Sequence, residues 1–219
     1  MTPEERDLRE SLIRTCLDMG RLGINRGTSG NVSLRHGPGL LITPTGIPYE
    51  VMTPEQIVQL DWEGNFSGDI LPSSEWRIHR DVLAARPDLN ALVHNHSTNA
   101  TTLSVLGKAI PPLHYLIASG GGRDIRCAPY ATFGTQALAD GVLAAMQDRR
   151  ACLMGHHGVL AGHVSLARAL ALAITVEELA TLYLNCLPFG EPPLLDDAEI
   201  VTLLAAFQSY GQQPRQTQG

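Results

Sequence analysis

Two histidines one residue apart, His94 and His96, end the short apolar run ALVHNH, which reads as a buried strand. Alternation along a strand sends residues two apart to the same face, so both imidazoles can turn toward one metal ion. The pair wants a third ligand. His156-His157-Gly158, just after the apolar run Ala151 to Met154, supplies candidates. Three neutral imidazoles with an open fourth position are the usual protein contribution to a catalytic Zn²⁺ site. An ion held that way keeps its full charge and acts as a Lewis acid on a carbonyl. A lone histidine reads more readily as an ordinary loop or core residue. An HxH and an HH, each at a strand end among glycines and small residues, read as a metal centre.

A second chemistry is written in three turns: Arg26-Gly27-Thr28-Ser29-Gly30-Asn31-Val32-Ser33, Thr43-Pro44-Thr45-Gly46, and Pro72-Ser73-Ser74-Glu75. Each offers hydroxyls, an amide or glycine-freed backbone N–H groups. Ser73-Ser74 also sits where a helical pattern begins. Singly, each is a turn or a helix cap. Together they are the parts of a cradle for a doubly charged anion, which a helix amino end and backbone donors can hold without a lysine.

The elements that must carry these residues alternate down the chain. Thr2-Pro3-Glu4-Glu5 opens a helix by cap, first-turn proline and acid, with Leu8, Leu12, Ile13, Cys16 and Leu17 as its apolar stripe and Gly20 or Gly23 at its end. Val32 to Arg35 and Leu40 to Thr43 flank the turn His36-Gly37-Pro38-Gly39 as a hairpin with a loop of about four residues. Strands are expected at 57–62, 91–96, 126–128, 151–154 and 159–161. Helices are expected at 74–86, 98–105, 135–148 and 165–187, and a last one opens at Asp196 with Glu199 in capping-box spacing and runs to Tyr210. The long fifth helix is apolar on most sides, as a helix covered by neighbours or by another subunit would be. The pattern is a mixed, mainly antiparallel sheet covered by helices in one α/β domain of the α+β type, residues 1–211, with residues 212–219 as a disordered tail.

The chain has 219 residues, 44% hydrophobic and 17% charged, enough to bury one sizeable core. Sixteen Lys and Arg against 22 Asp and Glu leave a net charge of −6, which excludes an electrostatic footprint for nucleic acid. The charged start, MTPEERDLRESL, lacks a secretory core, and no apolar run is expected to reach the roughly 18 residues of a membrane span. The four separated cysteines, Cys16, Cys127, Cys152 and Cys186, read as reduced thiols of a cytoplasmic protein.

The stretches RLGINRGTSGNVSLR, LLITPTGIPYE, LPSSEWRIH, VHNH, IPPLHY, CAPYATFGT and HHG together resemble the zinc-dependent class II aldolases, over about Leu8 to Tyr210. The resemblance implies the class II aldolase fold, a homotetramer with active sites between neighbouring subunits, and cleavage of a ketose 1-phosphate to dihydroxyacetone phosphate and a small aldehyde. It implies zinc on His94, His96 and His157, and Glu75 as both a ligand of the resting site and the acid–base group. It implies phosphate binding by Asn31, Thr45, Gly46, Ser73 and Ser74, with Thr28 and Gly30 shaping the loop. Tyr115 then matches a proton donor from the neighbouring subunit, and Phe133, Phe207 and Tyr210 match an aldehyde pocket. His156 is expected behind the ligands, and His36, His79, His114 and His163 as ordinary histidines. Three other chemistries share the resemblance: 5-deoxy- or 5-methylthiopentulose phosphate cleavage, pentulose-phosphate 4-epimerisation, in whose enzymes position 75 is usually aspartate, and dehydration of methylthioribulose phosphate. The adducin head domains show the same likeness as non-enzymatic modules without the complete metal site.

Overall fold

Thr2 and Pro3 start the first helix as their chemistry dictates. The Thr2 hydroxyl accepts from the Glu5 N–H at 3.2 Å, and α1 runs Pro3–Arg21. The structure is a computed structural model in which residues 1–208 are described. Leu12, Cys16 and Met19 of α1 are buried, but Leu17 is 39% exposed. The buried line follows the 12–16–19 spacing, and Leu17 lies too far round the helix to join it.

Seven strands form one sheet: β1 (Asn31–His36), β2 (Gly39–Ile42), β3 (Val58–Asp61), β4 (Ala91–Asn95), β5 (Arg126–Ala128), β6 (Ala151–Met154) and β7 (Gly158–His163). Their order is β3-β2-β1-β4-β7-β6-β5, antiparallel throughout except for the parallel pair β5 and β6. The sheet is mixed and mainly antiparallel, as expected. The first hairpin is tighter than expected. β1 and β2 pair out to His36 and Gly39, leaving Gly37-Pro38 as the turn, with Gly37 at φ 52°.

Alternation divides the core into two layers. Val32, Leu41, Val93, Leu153, Val159 and Ala161 join one cluster with α1, α3 (Thr98–Val105) and α5 (Leu166–Cys186). Leu40, Ile42, Leu92, Cys152, Met154 and Leu160 join the other with α2 (Trp76–Ala85) and α4 (Gln136–Ala145). α6 (Asp197–Phe207) is capped by Asp196, whose carboxylate accepts from the Glu199 N–H at 2.8 Å. Short 3-10 turns at Pro54–Gln56, Tyr115–Gly120 and Leu187–Phe189 carry too little periodicity to be read from sequence.

Two further expectations are corrected. The helix expected from Ser74 starts at Trp76, because the Glu75 N–H turns back to the Ser73 hydroxyl and the Trp76 N–H to the Ser73 carbonyl. The segment Leu166–Phe189 is long and apolar enough to cross a membrane, against the expected absence of such a run. In this fold its Leu172, Val176 and Leu179 are buried in the core, packed over β4 and β7. All four cysteines are free thiols, with Cys16 and Cys152 buried.

Candidate active site

β4 delivers His94 into the sheet and His96 just past its end, while His157 directly precedes β7, the antiparallel neighbour of β4. The register sets Asn95 opposite Val159, so the two histidine segments meet at one end of these central strands. The imidazole nitrogens of His94, His96 and His157 lie within 4.8 Å of one another. Their rings stand edge to face, with centroids 4.8 to 5.0 Å apart. His94 Nδ1 donates to the Val159 carbonyl at 2.8 Å, which turns its Nε2 to the centre of the cluster. The N–H of His157 is held by the Ser104 hydroxyl at 3.3 Å, and that of His96 by Asn25 Oδ1 at 3.2 Å.

Glu75, buried at 5% exposure, closes the fourth side. Its Oε2 is 3.1 Å from His94 Nε2 and accepts from Asn31 Nδ2 at 2.8 Å. Its Oε1 lies 3.0 Å from His157 Nε2 but has no well-directed hydrogen bond. A buried carboxylate oxygen left without a partner beside three converging imidazoles fits a divalent metal ion. Charge in the cluster is consistent with that. Burial acts to raise the Glu75 pKa, but the charge of His94, with the His157 and His94 imidazoles in contact, outweighs it and holds the carboxyl well below the usual carboxylate range. Burial, then the charges of His94 and His157, pushes His96 down to about 3 and keeps its ring neutral.

Glycines let the chain come this close. A Cβ on Gly158 would stand 2.5 Å from the Asn95 carbonyl oxygen and 2.9 Å from the His96 ring. A Cβ on Gly30 would stand 2.6 Å from the His94 carbonyl oxygen. Both positions are closed to any side chain unless the ligand segments move.

A cavity of about 420 Å³ opens in front of the cluster. Thr28, Gly30 and Asn31 line one side, Thr45 and Gly46 another, and Ser73, Ser74 and Glu75 a third, with His96 and His157 at the base and Phe133 at the rim. The three turns are tied together. The Thr45 N–H donates to the Leu71 carbonyl and the Ser73 N–H to the Thr43 carbonyl, which fixes the second and third turns against each other. His156, expected behind the ligands, instead lines this cavity, at φ 53° and with its ring 5.8 Å from that of Tyr130.

Tyr115 and Phe207 do not line the cavity. They lie beside each other, ring centroids 6.4 Å apart, with Tyr115 45% exposed. Tyr210 lies outside the described residues. Sequence reasoning missed three supports: Asn25, Ser104 and above all His79, which is fully buried between Ser33 and Asn31. The spacing could have flagged His79, since it sits one helical turn after Glu75.

The sequence profile described as "Class II Aldolase and Adducin N-terminal domain" matches residues 10–184. The L-fuculose phosphate aldolase of Escherichia coli strain K12 is 51% identical over 209 residues, covering 95% of this chain and 97% of that protein. The 5-methylthioribulose-1-phosphate/5-deoxyribulose-1-phosphate aldolase of Rhodospirillum rubrum is 48% identical over 204 residues, 93% of this chain and 92% of that one. A solved L-fuculose 1-phosphate aldolase superposes with a TM-score of 0.90 at 38% identity, covering 92% of this chain and 96% of its own. A histidine cluster at the ends of two central strands, a profile match across most of the length and relatives aligned nearly end to end lead to one assignment: the chain belongs to the class II aldolase and adducin N-terminal domain family.

Proposed function

We propose that this chain is a zinc-dependent aldolase, an aldehyde-lyase that reversibly cleaves a ketose 1-phosphate, L-fuculose 1-phosphate first among them, to dihydroxyacetone phosphate and a small aldehyde such as lactaldehyde. One observation carries the reading: His94, His96, His157 and Glu75 converge on a common point at the base of a cavity whose walls are Asn31, Thr45-Gly46 and Ser73-Ser74. A Zn²⁺ ion held by the histidines supplies a Lewis acid toward the carbonyl oxygen that becomes negative on cleavage.

The chain's own residues divide the remaining work. Asn31, Thr45, Gly46, Ser73 and Ser74, on the loop shaped by Thr28 and Gly30, bind the phosphate, so that binding energy far from the breaking bond orients the substrate. Glu75, adjacent to Ser74, moves the proton on the three-carbon fragment. Tyr115 of a neighbouring subunit exchanges the proton of the aldehyde-side oxygen, which requires an assembly, a homotetramer with shared sites. Its exposure outside the cavity of its own chain supports that role. Phe133, Phe207 and Tyr210 would surround the aldehyde. The compartment is the cytoplasm, supported by four free thiols, and the partner is a small phosphorylated sugar rather than nucleic acid or membrane.

The R. rubrum relative favours a second reading, cleavage of 5-deoxyribulose or 5-methylthioribulose 1-phosphate at the same site. Glutamate at position 75 speaks against the epimerase, and the intact three-histidine cluster against an adducin-like module. The test is dihydroxyacetone phosphate release from fuculose, rhamnulose, ribulose, 5-deoxyribulose and methylthioribulose 1-phosphates, with and without chelator. Chelator-sensitive release restored by Zn²⁺ is expected, with the fastest substrate choosing between the two readings. No release from any substrate by the zinc-loaded protein overturns both.

A further inference from the structure

His79 is a polar side chain near the site with no exposed surface. It lies on α2 one turn beyond Glu75, facing β1, where Asn31 and Ser33 share a face as residues two apart. Its Nδ1 is 2.6 Å from the Ser33 hydroxyl and its Nε2 2.5 Å from Asn31 Oδ1. The Asn31 amide nitrogen in turn donates to Glu75 Oε2 at 2.8 Å.

We propose that His79 is a positioning residue for the acid–base carboxylate: its Nε2–H fixes the Asn31 amide, and the amide fixes Glu75. The direction of every bond follows from what each atom can do. An ionised Glu75 oxygen only accepts, so Asn31 presents its NH₂ there and its Oδ1 to His79. That oxygen also only accepts, so His79 carries its proton on Nε2 and takes the Ser33 O–H on Nδ1. The opposite histidine tautomer would set a lone pair against Oδ1. It would drive the amide to flip, placing acceptor against acceptor at Glu75. Burial, then the charge of His94, pushes the His79 pKa down to about 3, consistent with a neutral ring. Asn31 also lines the cavity, so one imidazole sets both the carboxylate and a wall of the anion cradle.

The role in turnover rests on the aldolase reading, and the test separates the two. In metal-free protein labelled with ¹⁵N at histidine, the His79 side chain should show the Nε2–H tautomer; an Nδ1–H tautomer overturns the relay whatever the enzyme does. His79→Leu and His79→Gln should both fold and load metal to the same extent. His79→Leu should lose about 10- to 100-fold in kcat, the scale of lost outer partners of a ligand set. His79→Gln, whose amide N–H reaches the place of Nε2, should recover to within about threefold of wild type, a rescue expected from the retained donor. Equal loss in both variants, or no loss in His79→Leu, overturns the proposal. Wild-type protein that cleaves no ketose 1-phosphate defeats the aldolase reading and the catalytic half of the proposal with it, while the tautomer still reports on the relay itself.

Discussion

Asn31 and His94 are directly opposite each other on the β1–β4 ladder, and both side chains reach the same oxygen, Oε2 of Glu75, at 2.8 and 3.1 Å. The carboxylate is therefore held by a cross-strand pair rather than by its own helix, at whose N-cap it sits without a capping hydrogen bond. Its second oxygen lies 3.0 Å from His157 Nε2 without a well-directed hydrogen bond.

Replacing that carboxylate separates acid–base work from metal holding. Glu75→Gln should keep the three imidazoles and one metal per chain by elemental analysis. Its turnover should fall on the order of 10²-fold or more, the scale of a lost acid–base group. Turnover near wild type would remove Glu75 from proton transfer.

Metal should bind the folded chain in preference to the unfolded one, so Zn²⁺ at about 100 times its Kd should stabilise by about 2.7 kcal/mol. For a chain of this size that corresponds to a rise of roughly 5 to 10 °C in Tm. His96→Ala, which removes one imidazole, should abolish most of the rise in a thermal melt. An unchanged zinc-dependent rise in that variant would show that the ion sits elsewhere.

The close approach at Gly158 has a cost if filled. Gly158→Ala sets a methyl group 2.5 Å from the Asn95 carbonyl oxygen, and overpacking of this kind costs about 1 to 3 kcal/mol. Urea titration of the metal-free protein should read that loss, and metal affinity should weaken alongside because the His96 ring is the next atom group in the way. A variant as stable as wild type, with unaltered zinc affinity, would contradict the geometry.

The buried neutral His79 also shapes acid stability. Its folded pKa, about 3, lies below the unfolded value near 6.5, so the unfolded chain binds the extra proton. The resulting penalty is absent above about pH 6.5 and grows by about 1 kcal/mol per pH unit as pH falls below it. Wild type should lose stability between pH 6.5 and 5 more steeply than His79→Gln when both are metal-free. Parallel curves in denaturant titrations across that range would mean the ring is protonated in the fold.

If Tyr115 works in the neighbour's site, Tyr115→Phe and Glu75→Gln damage different halves of a shared centre. Each alone should be nearly inactive with metal intact. Mixing the two under conditions that exchange subunits should restore a measurable fraction of wild-type turnover, because some interfaces then pair two undamaged halves. No recovery in subunit-exchanged mixtures would confine each site to a single chain.

Much of this was legible along the chain. Thr2-Pro3 begins α1, and the expected spans of α3, β5 and β6 coincide with the observed Thr98–Val105, Arg126–Ala128 and Ala151–Met154. These are local matters, since a cap, a proline or a run of alternating apolar residues acts over a few bonds. The His94–His96 pair was legible for the same reason, being two residues on one strand face. Leu17 and the start of α2 were not, because which side of a helix is covered, and where its first N–H finds an acceptor, depend on what packs nearby.

Types and spacings by themselves pointed to a histidine set with the donors for a metal, to turns with the donors for an anion, and to alternating strands and helices. Only the tertiary structure decided that His157 meets His94 and His96, that Glu75 turns one oxygen to Asn31 and the other to His157, and that His79 stands behind Asn31. The reason is distance along the chain: these partners are tens of residues apart, and nothing but the register of β1, β4 and β7 and the docking of α2 brings them within reach of one another.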